Sequence, residues 1–177
     1  MIRIKSVIRS NRRLSESCYR ITLEVPDLIT ELRPGQFINM KIGEANDPLF
    51  RRPFSVFRVT DLGGGVSGIE VVYKIVGRGT RLLADLNEGE ELDIIGPLGR
   101  GFQFLRHKRT QILLAGGIGA ASLFMLGEEI SKSVRECGFD LYSLLGAQSK
   151  ENLVLEDEFA TLNGEVLVST DDGTTGY

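Results

Sequence analysis

Over the first hundred residues, apolar positions recur in short runs rich in Val, Ile and Phe. These runs cover residues 2–9, 17–25, 36–42, 54–59, 69–76 and 91–95. Between them lie explicit turn signals: Arg33-Pro34-Gly35, Asp61-Leu62-Gly63-Gly64-Gly65 and Asn87-Glu88-Gly89. Short β-branched runs with such punctuation predict strands. Six of them at this spacing predict an antiparallel barrel, which removes its own edges by closing. Residues 80–86, between the fifth and sixth runs, predict one or two helical turns.

The pattern changes after Phe104. A basic hinge, Arg106-His107-Lys108-Arg109, precedes a continuous apolar run over 111–117 that predicts a strand buried on both faces of a parallel sheet. Leu123, Leu126, Ile130 and Val134 then recur at intervals of three and four, the signature of a helix face. Glu128, Glu129, Lys132 and Arg135 fill its outer side, and Gly138 stands at the C-cap. A strand over 140–146, a helical segment over 151–162 and a strand over 165–169 complete the alternation. Strands alternating with helices imply a doubly wound parallel sheet. Two domains are therefore expected, a barrel over 1–104 and an α/β domain over 105–177. A nucleotide-binding sheet of the second kind usually has about five or six strands, ordered 3-2-1-4-5. Three would leave the apolar first strand with an unpaired edge, an aggregation hazard. The expectation is a domain truncated after its third strand, and a chain that is a fragment.

Composition changes this picture little. With 42% hydrophobic and 25% charged residues, the chain is ordinary for a globular protein. A net charge of −3 offers no general attraction to nucleic acid or to an anionic membrane. No uninterrupted apolar run of about 18 residues exists to span a bilayer, and Met1-Ile2-Arg3-Ile4-Lys5 suits a strand, not a secretory segment. The two cysteines, Cys18 and Cys137, are too few for a disulfide framework or a metal cage, so a cytoplasmic setting is expected and no metal ligands are assigned. The single histidine, His107, sits in the basic hinge and reads as solvated.

Candidate chemistry gathers in a few short motifs. Arg52-Pro53-Phe54-Ser55 packs a cation, an aromatic ring and a hydroxyl into four residues. In an extended strand Arg52 and Phe54 share a face and Ser55 takes the other. Such a strand offers a cation to a pyrophosphate and a small donor to a ring system. Gly77-Arg78-Gly79-Thr80 adds backbone amides that phosphate can approach closely, since glycine has no Cβ. A third glycine-punctuated segment is Gly96-Pro97-Leu98-Gly99-Arg100-Gly101-Phe102. Each could also be an ordinary turn or strand start. Together on one barrel, they point to FAD and to electron transfer. Gly116-Gly117-Ile118-Gly119 falls between strand and helix, where a dinucleotide turn must be, but it is not a full G-x-G-x-x-G and serves equally as a tight packing turn. Thr170-Asp171-Asp172-Gly173 closes the third strand as a ligand-side segment or a plain Asp-Gly turn. Neither a Ser-His-Asp set nor a carboxylate pair in an apolar pocket is present. A flavin needs neither, because the cofactor carries the chemistry.

The chain resembles the ferredoxin reductase-type flavoprotein superfamily. Within it, the chain closely resembles the branch of electron transfer subunits of bacterial NAD-type dihydroorotate dehydrogenase. The resemblance covers nearly the whole chain and rests on Pro34-Gly35-Gln36-Phe37, Pro48-Leu49-Phe50-Arg51-Arg52-Pro53-Phe54-Ser55, Val72-Tyr73-Lys74, Gly77-Arg78-Gly79-Thr80, Gly96-Pro97-Leu98-Gly99, Gly116-Gly117-Ile118-Gly119 and Leu145-Gly146-Ala147. It implies that Arg52 contacts the FAD pyrophosphate, with Pro53 and Phe54 on the same strand. Ser55 would hydrogen-bond the isoalloxazine at its reactive edge, as the one catalytic assignment. It further implies that Val72, Tyr73 and Lys74 line the ring and ribityl chain, that Gly79 and Thr80 cradle phosphate, and that Gly116, Gly117 and Gly119 admit NAD(H). In such proteins electrons pass from NADH to FAD, then through a two-iron two-sulfur cluster to an FMN-containing dihydroorotate dehydrogenase catalytic subunit, in pyrimidine biosynthesis.

Against that pattern, the cluster's cysteine-rich loop and a Cys-Gly-Pro segment have no counterpart before Tyr177. Ala115 stands where a glycine is usual, and Ala121 where a proline is common. The expectation is FAD binding retained, NADH binding weakened and cluster-mediated export absent. Rival readings are a non-catalytic flavin-binding or regulatory remnant, and the related subunit of a sulfide dehydrogenase or ferredoxin:NADP oxidoreductase.

Overall fold

The computed structural model describes residues 1–26, 32–43, 49–103 and 105–176. Its Cα packing divides into two compact units, Met1–Gly101 and Phe102–Tyr177.

The first unit is one antiparallel sheet built from β1 (Ile2–Arg13), β2 (Cys18–Val25), β3 (Phe37–Lys41), β4 (Arg52–Ser55), β5 (Arg58–Asp61), β6 (Ser67–Lys74) and β7 (Glu91–Leu98), with helix α1 (Arg78–Ala84) between β6 and β7. The strand order is β4-β3-β7-β1-β2-β6-β5. There are seven strands where the sequence predicts six, because the expected strand over 54–59 is two. Val56 and Phe57 are both buried, at 1% and 0% exposure, and consecutive inward side chains break the period-2 alternation of a strand. The chain leaves β4 at one end of the order and enters β5 at the other. The Val56 amide donates to the Gln36 carbonyl at 3.2 Å and the Phe57 amide to the Glu70 carbonyl at 2.8 Å, so the two-residue link reaches both ends of the curled sheet.

β1 runs four residues past its expected end. Ile2 to Val7 pair with β7, whereas Ile8 to Arg13 pair with β2 across an irregularity between Ile8 and Ser10. A bulge bends a strand and raises its twist, and here it lets one strand serve two neighbours. The core inside includes Ile8, Ile21, Leu23, Ile38, Met40, Ile69, Val71 and Ile94, each at most 1% exposed except where Leu92 adds 2% beside them. Leu83, at 0% exposure, anchors α1.

In the second unit, β8 (Thr110–Gly116), β9 (Asp140–Ala147) and β10 (Glu165–Thr170) form a parallel sheet in the order β10-β9-β8. Helix α2 (Ala120–Cys137) follows β8 through a 3-10 turn at Gly117–Gly119, and ends on Gly138 in the left-handed region at φ 67°. The expected helix over 151–162 is smaller, a 3-10 turn at Lys150–Asn152 and α3 (Glu156–Ala160).

Two expectations are corrected here. β8 is not buried on both faces: Gln111 and Leu113 point inward, while Ile112 and Leu114 are 63% and 76% exposed. Strand geometry imposes this alternation whatever the hydropathy. On α2, Leu123 and Val134 are only half-buried, and Phe124 is the fully enclosed residue. Its ring meets Phe159 of α3 edge to face, with centroids 5.2 Å apart. The stripe is rotated because Phe159 offers an aromatic partner, which spacing along α2 alone does not reveal.

Candidate functional site

In the first unit, β4 and the start of α1 come together. The Arg52 guanidinium lies directly over Gly79: a Cβ there would overlap Arg52 Nε and Cζ and sit 2.8 Å from Nη2. Glycine leaves room for this close approach, and a side chain here would push the guanidinium aside. Arg52 Nη1 donates to the Phe50 carbonyl at 2.9 Å, and among the described residues it has no carboxylate partner. Its neighbour Arg51 is committed elsewhere. Arg51 donates to the Asp93 carbonyl at 2.8 Å and to its carboxylate at 2.6 Å. Asp93 also receives Arg3 at 2.7 Å. The hydrogen bonds from Arg3, with those from Arg51, hold the Asp93 carboxyl down to about 2. The doubled arginine is thus one structural ion pair and one available cation.

Thr80 is 7% exposed. Its hydroxyl oxygen accepts from the amides of Val76 at 2.9 Å and Gly77 at 3.2 Å, and its proton goes to the Gly77 carbonyl at 3.1 Å. The side chain closes the turn that starts α1, leaving the backbone around Gly77 facing open space. Ser55 is half-buried and stands opposite Phe37 in register. Its hydroxyl has no hydrogen-bond partner among the described residues. Pro53 is exposed and pairs with Asn39.

Phe54 rests edge-on against Tyr73, with centroids 6.0 Å apart at 73°. Tyr73 also stacks on Tyr19 at 5.8 Å and 23°. Tyr73 and Val72 are 2% and 6% exposed, so both lie beneath the surface, while Phe54 and Tyr19 are half-buried on either side of the Tyr73 ring. Burial pushes the Tyr73 phenol well above its ordinary range, partly offset by the hydrogen bond it gives Asn11. The phenol is therefore a neutral donor, to Asn11 Oδ1 at 3.0 Å. Lys74 follows, half-buried, opposite Cys18 in register. Asn11 was missed from sequence because it lies beyond the predicted end of the first strand.

The segment 96–101 proves to be packing. A Cβ on Gly96 would sit 2.6 Å from Ile38 Cγ2, and one on Gly101 2.6 Å from Arg33 Cβ. These glycines let β7 and the chain after it lie against residues 33–38. Strand packing accounts for this third glycine segment.

In the second unit, Gly116, Gly117 and Gly119 form the β8-to-α2 turn. A Cβ on any of the three would meet nothing within 4 Å, and Gly117 has φ 51°. This turn faces open space and is not packed under the sheet. Across the sheet, Asp172 and Gly173 make a self-contained turn: Asp172 Oδ1 accepts from the Thr174 hydroxyl at 2.7 Å and amide at 3.0 Å. The Thr174 hydroxyl holds the Asp172 carboxyl below the usual range. No helix among the described residues is long and apolar enough to cross a membrane.

An uncommitted arginine, an unpaired hydroxyl beside an aromatic ring and an open glycine backbone suit a planar ring system carrying phosphates. The sequence pattern of the family described as Oxidoreductase FAD-binding domain matches residues 5–103, and the chain belongs to that family. Its fold is that of the ferredoxin reductase-like flavoproteins. A similar protein is the dihydroorotate dehydrogenase B (NAD(+)) electron transfer subunit of Desulforamulus reducens, 34% identical over 164 residues, 93% of this chain and 60% of that one. The subunit of the same name from Geobacillus kaustophilus is 36% identical over 177 residues, 98% of this chain and 65% of its own. This chain thus spans under two thirds of the length of these relatives. Among solved structures, an NADH-dependent reduced ferredoxin-NADP oxidoreductase superposes with TM-score 0.78 at 30% identity, over 97% of this chain and 58% of that one. The ferredoxin reductase of carbazole 1,9a-dioxygenase, at TM-score 0.76 and 20% identity over 99% of this chain and 53% of its own, shares the fold.

Proposed function

We propose that this chain is the FAD- and NAD(H)-handling part of the electron transfer subunit of an NAD-linked dihydroorotate dehydrogenase, serving pyrimidine biosynthesis in the cytoplasm. Its partner would be an FMN-containing catalytic subunit, reached in the whole protein through a two-iron two-sulfur cluster whose ligands are not in this sequence. The observation that carries the reading is the Arg52–Gly79 junction, a cation held against glycine backbone next to the Phe54-Ser55 pair.

Bound FAD would supply the exchange of a hydride pair for single electrons. Arg52 would hold the pyrophosphate by charge and paired N–H donors. The Gly77 and Gly79 backbone would let phosphate approach, with Thr80 fixing the turn from behind. Phe54 would carry the ring system on the buried support of Tyr73, beside Pro53, Val72 and Lys74. Ser55 would donate its unpaired hydroxyl to the ring edge. Gly116, Gly117 and Gly119 would admit the NAD(H) phosphates at the start of α2, where the backbone amides of a long helix favour anions.

The test is reconstitution with FAD followed by anaerobic titration with NADH. The expected result is a yellow protein whose visible flavin band bleaches on NADH addition. A protein that takes up no FAD would sink the proposal. The likeness to the ferredoxin-NADP oxidoreductase favours a second reading, a subunit exchanging electrons with ferredoxin. Co-purification with a dihydroorotate-oxidising subunit decides against it.

A further inference from the structure

Asn11 is a half-buried polar residue on the part of β1 that pairs with β2, opposite Ile21. Its carboxamide is fully used. Oδ1 accepts from the Tyr73 hydroxyl at 3.0 Å, and Nδ2 donates to the carbonyls of Leu83 at 2.8 Å and Leu86 at 3.0 Å. The two sides of this bridge lead to different parts of the site. Tyr73 supports Phe54 through ring contact. Leu83 is in the last turn of α1 and Leu86 just beyond its C-cap Asp85, where the Leu86 amide donates to the Leu83 carbonyl at 3.3 Å, and the other end of the same helix carries Gly79 against Arg52.

We propose that Asn11 is a positioning residue of the flavin site, fixing the aromatic support on β6 relative to the helix that holds Arg52 in place. It touches no cofactor atom and acts through Tyr73 and α1. The inference rests on the FAD reading given above. A carboxamide suits the post because it presents two donors and an acceptor at once. An aspartate would set a carboxylate against two carbonyls, and a leucine would take the acceptor from a buried phenol and the side-chain donor from both carbonyls.

The experiment is FAD titration of the full chain, followed by flavin fluorescence, for the parent, Asn11→Ala, Tyr73→Phe and the double variant. The visible absorption band of each bound flavin is recorded alongside. Asn11→Ala is expected to weaken FAD binding about tenfold, the loss of one to two buried hydrogen bonds. Tyr73→Phe should weaken it by less. The double variant should be no weaker than Asn11→Ala alone, because both changes cut the same link. The band should shift in the same direction in both single variants, which a general loss of stability does not produce. Parent-level affinity in a folded Asn11→Ala protein overturns the inference, and so does full additivity in the double variant. If Asn11→Ala does not fold, Tyr73→Phe decides, since it removes a single hydroxyl: parent-like affinity and spectrum overturn the inference. A parent chain that binds no FAD overturns the flavin reading itself, an outcome the parent titration identifies before any variant is made.

Discussion

The guanidinium of Arg52 occupies the space that a side chain at position 79 would need. Two segments well apart in sequence are therefore matched atom to atom. Gly79→Ala should displace Arg52 and raise the FAD dissociation constant about tenfold, while alanine's better helix propensity, about 1 kcal/mol over glycine, limits any loss of stability. Arg52→Ala should cost about ten- to a hundredfold in FAD affinity, the range of a charge-assisted hydrogen bond. Isothermal titration with FAD, alongside thermal unfolding of the apoprotein, separates the two effects.

Ser55 carries an unpaired hydroxyl in a half-buried position. Ser55→Ala should leave FAD bound but slow its reduction by NADH about tenfold, as expected for one hydrogen bond to the reacting ring. Stopped-flow absorbance of the flavin band measures this directly. An unchanged rate would remove Ser55 from the chemistry.

Asp93 on β7 gathers Arg3 of β1 and Arg51, the residue just before β4. Because these partners lower its folded-state pKa to about 2, the carboxylate's stabilisation is complete above the ordinary aspartate range. It is lost as pH falls from there toward about 2. Asp93→Asn should destabilise the first unit at neutral pH by about 1 kcal/mol and flatten the acid limb of its stability profile. Denaturant melts at several pH values provide the check.

Gly117 holds φ 51° at the β8-to-α2 turn. Gly117→Val should strain that turn by about 1–2 kcal/mol and crowd the open face beside it. NADH should then bleach the flavin only at higher concentration, with FAD content unchanged. Equal titration curves for parent and variant would separate this turn from nicotinamide binding.

Much of this was legible from sequence because it rests on local chemistry. Turn residues punctuated the strands, Gly138 marked the end of α2, and the parallel run of the last three strands followed from their alternation with helices. The division of labour between Arg51 and Arg52 was not legible, since only pairing across the sheet shows that Asp93 claims one of them. Gly96 and Gly101 looked like cofactor glycines and are packing glycines, a difference made by Ile38 and Arg33 from another part of the chain. Likewise, the continuous apolar run at 111–117 could not reveal which side chains of β8 would be covered. The break at Val56-Phe57 was hidden because a strand and a crossing look alike when every residue is apolar.

The first strand has a consequence for how the protein is made. Met1's neighbours from Ile2 to Val7 wait for Glu91 to Gly96 before their hydrogen bonds can form, whereas Ile8 to Arg13 find β2 within a short hairpin. On the ribosome, Ile2 to Val7 emerge well before the strand that secures them. Because Asp93 on β7 is also the partner of Arg51, the stretch just before β4 is likewise fixed only once β7 has left the tunnel.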